Sequence, residues 1–230
     1  GLVACIQGLE NFSQIQLFEE CYGYIFSYCE KRLKNSVELV ERGSTSPPLT
    51  STSIKQSVSN NLKILDKCFK PFDGKHGHPF ILKKACDIWD LTQQILLVFS
   101  KSKKVVRSLS TLYFNIFLGI GIHKETTAFL LSMMDVLTRY FDSFAHSSII
   151  RLISFIVDET TDSSIIELYV SRFPRLAIQI MSSVSSQSVE ELYNYSEVIK
   201  FFFKLVTKTV NVCPQALEIE PKVLEGIFHL

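Results

Sequence analysis

The chain has 230 residues, with 24 basic and 23 acidic side chains, a formal net charge of +1 and 47% hydrophobic content. That much apolar material can fill a continuous buried core, which excludes a disordered tail. The nearly cancelling charges exclude a whole-surface field that gathers nucleic acid or anionic lipid, so a charged partner has to be met by a local patch.

Six cysteines, at 5, 21, 29, 68, 86 and 213, form no C-x-x-C pair and mostly lie beside apolar residues. Such a scatter predicts reduced thiols in the cytosol or nucleus rather than a disulfide framework. No apolar run approaches the roughly 18 residues that span a bilayer, and no charged N-terminal region leads into a long apolar core. The expectation is a soluble, intracellular protein with no direct membrane contact. Because the chain opens on Gly1 and stops on "GIFHL" within an apolar stretch, it is expected to be a piece of something longer.

Apolar residues at helical spacing predict helices over 11–38, 53–69, 80–100, 104–118, 125–142, 147–158, 163–183, 187–212 and 221–230. The stripe from Ile81 through Ala85, Ile88, Ile95 and Phe99 is one example, and Tyr195, Ile199, Phe202, Val206 and Val210 form another. Loops are expected at "RGSTSPPLTST", 42–52, and "KPFDGKHGHP", 70–79, where proline and glycine cannot continue a helix. Pro221 suits a first helical turn. Strand alternation and hairpin signals do not occur, so the predicted class is all-α.

Helix pairs beginning near 1, 53, 104, 146 and 187 recur every 40 to 50 residues, the period of HEAT and armadillo-like repeats. The whole of 1–230 is therefore expected to be a segment of a longer α-α superhelix, with about four to five helical pairs. In such a stack each pair buries faces on the pairs before and after it. Within it "HSSIIRLISFIVDET", 146–160, reads as the short first helix of a pair. His146 or Ser147 would cap its start, Ser163 or Ser164 would cap the next, and Arg151 would extend its guanidinium to the rim.

No catalytic, metal or cofactor residues are assigned. Asp158 and Glu159 are adjacent on a helix and point about 100° apart, so they do not share a site as an acid and base would. His76 and His78, with Asp73 nearby, lack the further ligands of a closed zinc site. "GIGIH", 119–123, lacks the preceding strand and third glycine of a phosphate-binding turn; Gly119 and Gly121 read as a helix-ending connector. "KSKKVVR", 101–107, is the densest basic cluster, yet without interleaved aromatics it reads as a solvated turn. In "YNYSEVIKFFFK", 193–204, Phe202 lies on the core stripe, and Phe201 and Phe203 are expected to be buried on either side of it.

The succession of segments resembles a known family. "HPFILKKACDIWDLTQQILLVFSKSKKVVRSLSTLYF" is followed by "FLLSMMDVLTRYFDSF", "HSSIIRLISFIVDET", "YVSRFPRLAIQIM" and "EVIKFFFKLVTKTVNVCPQALEIEPKVLEGIF". This order is similar to the middle-to-late repeats of transportin-SR or importin-type nuclear transport receptors, in the importin-β superfamily. His78 and Pro79 with Trp89, Val106 and Arg107, Met133 with Tyr140, and Ser154 with Val157, Asp158 and Glu159 hold the places of the family's ordered motifs. The resemblance covers the chain from about residue 60 onward.

It implies HEAT repeats that wrap protein cargo, pass the nuclear pore by contacts with phenylalanine-glycine repeats of nucleoporins, and answer to Ran-GTP, held chiefly by N-terminal repeats that this chain lacks. Shuttling between cytoplasm and nucleus follows, import being the expected direction. The chain departs from the family in its near-neutral charge and in having no arginine-rich helix. The expected function is thus non-enzymatic, with cargo-contacting residues undefined and nucleic acid not expected as a partner. The other reading is a structural α-solenoid scaffold, nucleoporin-like or another HEAT adaptor, with no Ran dependence.

Overall fold

A computed structural model describes residues 12–43, 51–70, 79–140, 146–186 and 189–228. Among these residues there are ten helices and no strand, and the helices pack in neighbouring pairs as an all-α helical repeat. The chain divides into two compact units, Gly1–Gly121 and Ile122–Leu230.

The first unit holds α1 (Phe12–Glu41), α2 (Ser51–Phe69), α3 (Pro79–Val98) and α4 (Lys103–Ile120). On α1 the core side is Tyr22, Phe26, Cys29, Leu33 and Val37, spaced by three or four residues as one helical face requires. Gly43 closes the end of α1 at φ 62°, a left-handed conformation that costs glycine nothing, and its amide donates to the Val40 carbonyl at 3.1 Å. Ile54, Val58, Leu62, Leu65 and Phe69 form the matching stripe on α2. That helix already begins at Ser51, so the expected 42–52 loop is shorter at its C-terminal end.

Side-chain pairs give the direction of each helix. Phe26, early in α1, meets Phe69, last in α2, edge-on at 5.4 Å, so these two helices run antiparallel. Tyr22 meets Phe80 at 6.5 Å while the Lys84 ammonium sits 6.0 Å from the Phe26 ring, the same order in both helices, so α1 and α3 run parallel. Between α2 and α4 the register is constant. Ser59 meets Ser108 at 2.8 Å and Asp66 accepts from Asn115 at 2.5 Å, each pair 49 residues apart. Since Ser108 spends its own proton on the Lys104 carbonyl, Ser59 is the donor in that buried pair. Two layers result, α1 with α3 and α2 with α4, joined by the cross-layer contacts α1/α2 and α3/α4.

The second unit repeats the plan with α5 (Thr127–Tyr140), α6 (Ser147–Glu159), α7 (Ser163–Ser185), α8 (Val189–Val212), the single turn α9 (Gln215–Glu218) and α10 (Pro221–Phe228). In one layer Asp162, at the head of α7, accepts from Thr127 at 2.9 Å and Arg172 donates to Asp135 at 2.9 Å, so α5 and α7 run parallel. In the other, Ser147 donates to Glu197 and Lys208 to Asp158, both across 50 residues, so α6 and α8 do the same. Across the layers Tyr169, early in α7, meets Thr209, late in α8, at 2.6 Å. Next along the first layer comes α10, which packs against α7 so closely that a Cβ on Gly226 would lie 2.8 Å from the Met181 sulfur.

Local chemistry at several helix ends differs from expectation. His146 occupies the N-cap of α6 but its side chain makes no capping hydrogen bond, and Ser147 turns its hydroxyl to Glu197. Asp162, not Ser163 or Ser164, caps α7, because its carboxylate reaches the amides of Ser164 at 2.9 Å and Ile165 at 3.4 Å. Gly119 lies inside α4, and Gly121 alone ends it, at φ 64°. Pro174 sits within α7 and withholds an amide from the Val170 carbonyl, yet the helix runs on because neighbouring elements hold it. The turn at 215–218 was not anticipated, being too short for a periodic signal.

Replacing Asp162 with alanine removes the α7 cap and the tie to α5 together, so a lower Tm is expected. Hydrogen bonds from Thr127 and the amides of Ile165 and Ser164 hold this carboxyl below its usual range. Its contribution is therefore present above the ordinary carboxylate pKa and lost as pH falls through the lowered value. Thermal melts from pH 7 to pH 2 should show the wild-type and Asp162→Ala curves converging in acid; a constant separation would refute the role.

Candidate functional site

The residues singled out in the sequence are dispersed. Asp158 accepts from Lys208 at 2.5 Å at the end of α6, and Glu159 beside it is exposed, so no acid-base pair is assembled. Asp73, His76 and His78 lie outside the described residues, among which no group of three or more His, Cys, Asp or Glu is placed to hold a metal ion. Lys101, Lys103, Lys104 and Arg107 are exposed around the first turn of α4, where Ser102 caps the helix and Lys104 donates to Gln56. Four of the described cysteines are buried or half-buried and Cys86 is the exposed exception; burial pushes the Cys29 thiol up to about 11 and Cys68 to about 12. No described helix is long and apolar enough to cross a membrane.

An open depression of about 520 Å³ lies at the heads of α5 and α7, lined by Ile122, His123, Lys124, Thr127, Thr161 and Asp162. Its one carboxylate is already engaged in capping and in the bond from Thr127, which makes the depression a by-product of the α7 cap.

Exposed apolar side chains gather on two helices. On α1, Tyr24 and Tyr28, 84% and 57% exposed, stand one turn apart on the solvent side, with the Arg32 guanidinium 5.8 Å from the Tyr28 ring. On α8 the arrangement is more extensive. Val198, Phe202, Leu205 and Thr209 enter the core, and Glu197 and Lys208 lie on the side towards α6. The flank opposite α6 carries Tyr195, Ile199, Phe203, Val206 and Val210, at i, i+4, i+8, i+11 and i+15. Phe203 is 40% exposed and Val210 49%, while Tyr195, Ile199 and Val206 are half-buried. Phe203 was expected inside; it stays out because Phe202 takes the core position, and Phe201 is half-buried under the Lys204 ammonium, 5.5 Å from its ring. The sequence stripe included Tyr195, Ile199, Val206 and Val210, but it could not say that they form a flank distinct from the core.

The chain matches no protein-family model, no curated protein and no solved structure. The fold and its surfaces define the class as an α-α helical repeat protein. Of the residues that carry the importin-like resemblance, Trp89, Val106, Met133, Tyr140 and Val157 are all buried. They are packing residues, so what they have in common with that family bears first on helix packing.

Proposed function

We propose that this chain is a non-enzymatic helical-repeat module that binds proteins, and that it serves as a segment of a nuclear transport receptor carrying cargo through the pore, in the import direction, under control of Ran-GTP. The observation that carries the reading is the constant register of parallel helices within each unit, taken with the ordered motifs that resemble the importin-β superfamily. A stack built from nearest-neighbour interfaces changes curvature by many small shifts, which lets cargo and Ran compete through deformation rather than through one shared pocket. The partners on this reading are protein cargo, Ran-GTP bound mainly through other repeats, and phenylalanine-glycine nucleoporins, with movement between cytoplasm and nucleus.

The test is binding of the natural protein that carries this segment to Ran loaded with GTP and, separately, with GDP. A preference for the GTP form of at least about a hundredfold, 2.7 kcal/mol, is expected. Equal or absent binding by the folded protein would leave the second reading, a Ran-independent α-solenoid scaffold. The buried Ser59–Ser108 bond favours that alternative, since a hydrogen bond fixed between neighbouring helices resists sliding.

A further inference from the structure

We infer that the exposed seam between α2 and α4 is a docking surface for an extended acidic segment of a protein partner. The inference rests on the protein-binding reading above but not on Ran. These two helices form one layer of the first unit and run parallel, with Ser59 beside Ser108 and Asp66 beside Asn115. Exposed cations stand one turn from those pairs. Lys63 follows Ser59 on α2, Lys70 follows Asp66 at its end, and Lys104 precedes Ser108 on α4. Lys67, Lys103 and Arg107 are exposed as well, and neither helix carries an exposed acidic side chain. The one carboxylate of the pair, Asp66, is half-buried and accepts from Asn115.

These cations are uncompensated. None of the six is in an ion pair among the described residues, and Lys104 donates to the neutral amide of Gln56. In the layer of α1 and α3, by contrast, Lys34 holds Glu30 at 2.7 Å, Arg42 holds Glu38 at 3.0 Å and Lys84 holds Asp87 at 3.2 Å. A net charge of +1 therefore conceals a one-signed local patch. The register places Lys63 level with Leu112 and Lys67 level with Ile116, so Lys104, Arg107, Lys63 and Lys67 follow one another down the seam in steps of about 5–8 Å. Alternate side chains of an extended chain lie about 7 Å apart, so carboxylates at every second position meet this row in step. Ile64 and Leu118, 42% and 40% exposed, lie on the same two helices, where side chains of a protein segment cover them and a phosphate backbone does not. Two such residues are too few to enter a bilayer, and neither helix has an exposed aromatic on which bases stack.

The test uses three fluorescent probes: a peptide of about ten residues with glutamate at alternate positions and two leucines, its twin with glutamine for glutamate, and a DNA duplex of about the same length. Anisotropy with the intact chain should show the glutamate peptide binding at least about tenfold more tightly than the glutamine twin in low salt, with the gap narrowing as the Debye length falls from about 30 Å to 8 Å. Lys63→Glu with Lys67→Glu should cost at least about tenfold in affinity for that peptide. Lys31→Glu with Lys83→Glu, the same change of net charge made on exposed positions of α1 and α3, should change it by less than about twofold. Circular dichroism should match wild type for both variants; were the first to unfold, Lys63→Gln with Lys67→Gln replaces it, with a smaller loss expected. Equal binding of the two peptides, or of neither, overturns the proposal. Equal losses from the two charge reversals also overturn it, because overall charge rather than the seam would then hold the peptide. Tighter binding of the duplex than of the glutamate peptide would make the occupant a nucleic acid and sink the proposal in that way. A failed Ran assay leaves the peptide result standing, and the reverse also holds.

Discussion

Replacing Phe202 with alanine is expected to destabilise the second unit by about 3–5 kcal/mol, whereas Phe203→Ala, one residue away, is expected to cost less than about 1 kcal/mol. Phe202 is among the largest fully buried side chains, at 0% exposure, and stands on the core face of α8 with Val198, Leu205 and Thr209. Its removal forfeits the transfer free energy of a whole ring and leaves a cavity that close-packed neighbours refill only in part. Phe203 keeps much of its ring in water and leaves no enclosed void. Urea denaturation followed by circular dichroism measures both, and hydrogen exchange in α6, α7 and α8 should locate the loss from Phe202→Ala. Similar costs for the two variants would mean that α8 is rotated from the orientation described.

Two buried tyrosines should respond oppositely to the loss of a hydroxyl. Tyr169 is fully buried and lies 2.6 Å from the Thr209 hydroxyl, which itself donates to the Leu205 carbonyl at 2.8 Å. Thr209 has one proton and has spent it, so Tyr169 is the donor. Tyr169→Phe then leaves a buried acceptor short of a partner across the α7/α8 contact, and a loss of about 1–2 kcal/mol is expected. Tyr113, packed 5.4 Å from Trp89, is equally buried, but its hydroxyl has no partner in hydrogen-bond geometry among the described residues; the Thr92 hydroxyl beside it is turned to donate to the Trp89 carbonyl at 2.8 Å. Removing a polar group that is buried and unbonded relieves a desolvation cost, so Tyr113→Phe should be neutral or stabilising by up to about 1 kcal/mol. Paired denaturation curves decide the matter: a destabilised Tyr113→Phe would contradict the absence of a bond.

The tyrosines illustrate what a single sequence withholds. Both sit on apolar stripes and both read as core, yet one is a donor and the other an orphan because of residues 40 positions away in one case and on a neighbouring helix in the other. The same holds at the head of α7. "DETTDSS" offers several capping residues, and the choice of Asp162 depends on Thr127, brought beside it by the packing of α5 on α7. Phe201, Phe202 and Phe203 read as one aromatic block, but only the rotation of α8 against α7 assigns one to the core and exposes another.

What the sequence by itself determined was the helices and their order. Spacing of apolar residues by three and four, with glycine or proline between stripes, is a local signal, and it locates all the long helices to within a few residues and excludes a sheet. The charge balance was equally legible. The tertiary structure alone decided which helices share a layer, the 49- and 50-residue registers between them, and which side chains of α8 enter the core. The physical reason is that periodicity records only that a face is apolar. Whether that face is covered depends on contacts between residues far apart in the chain, which no local pattern encodes.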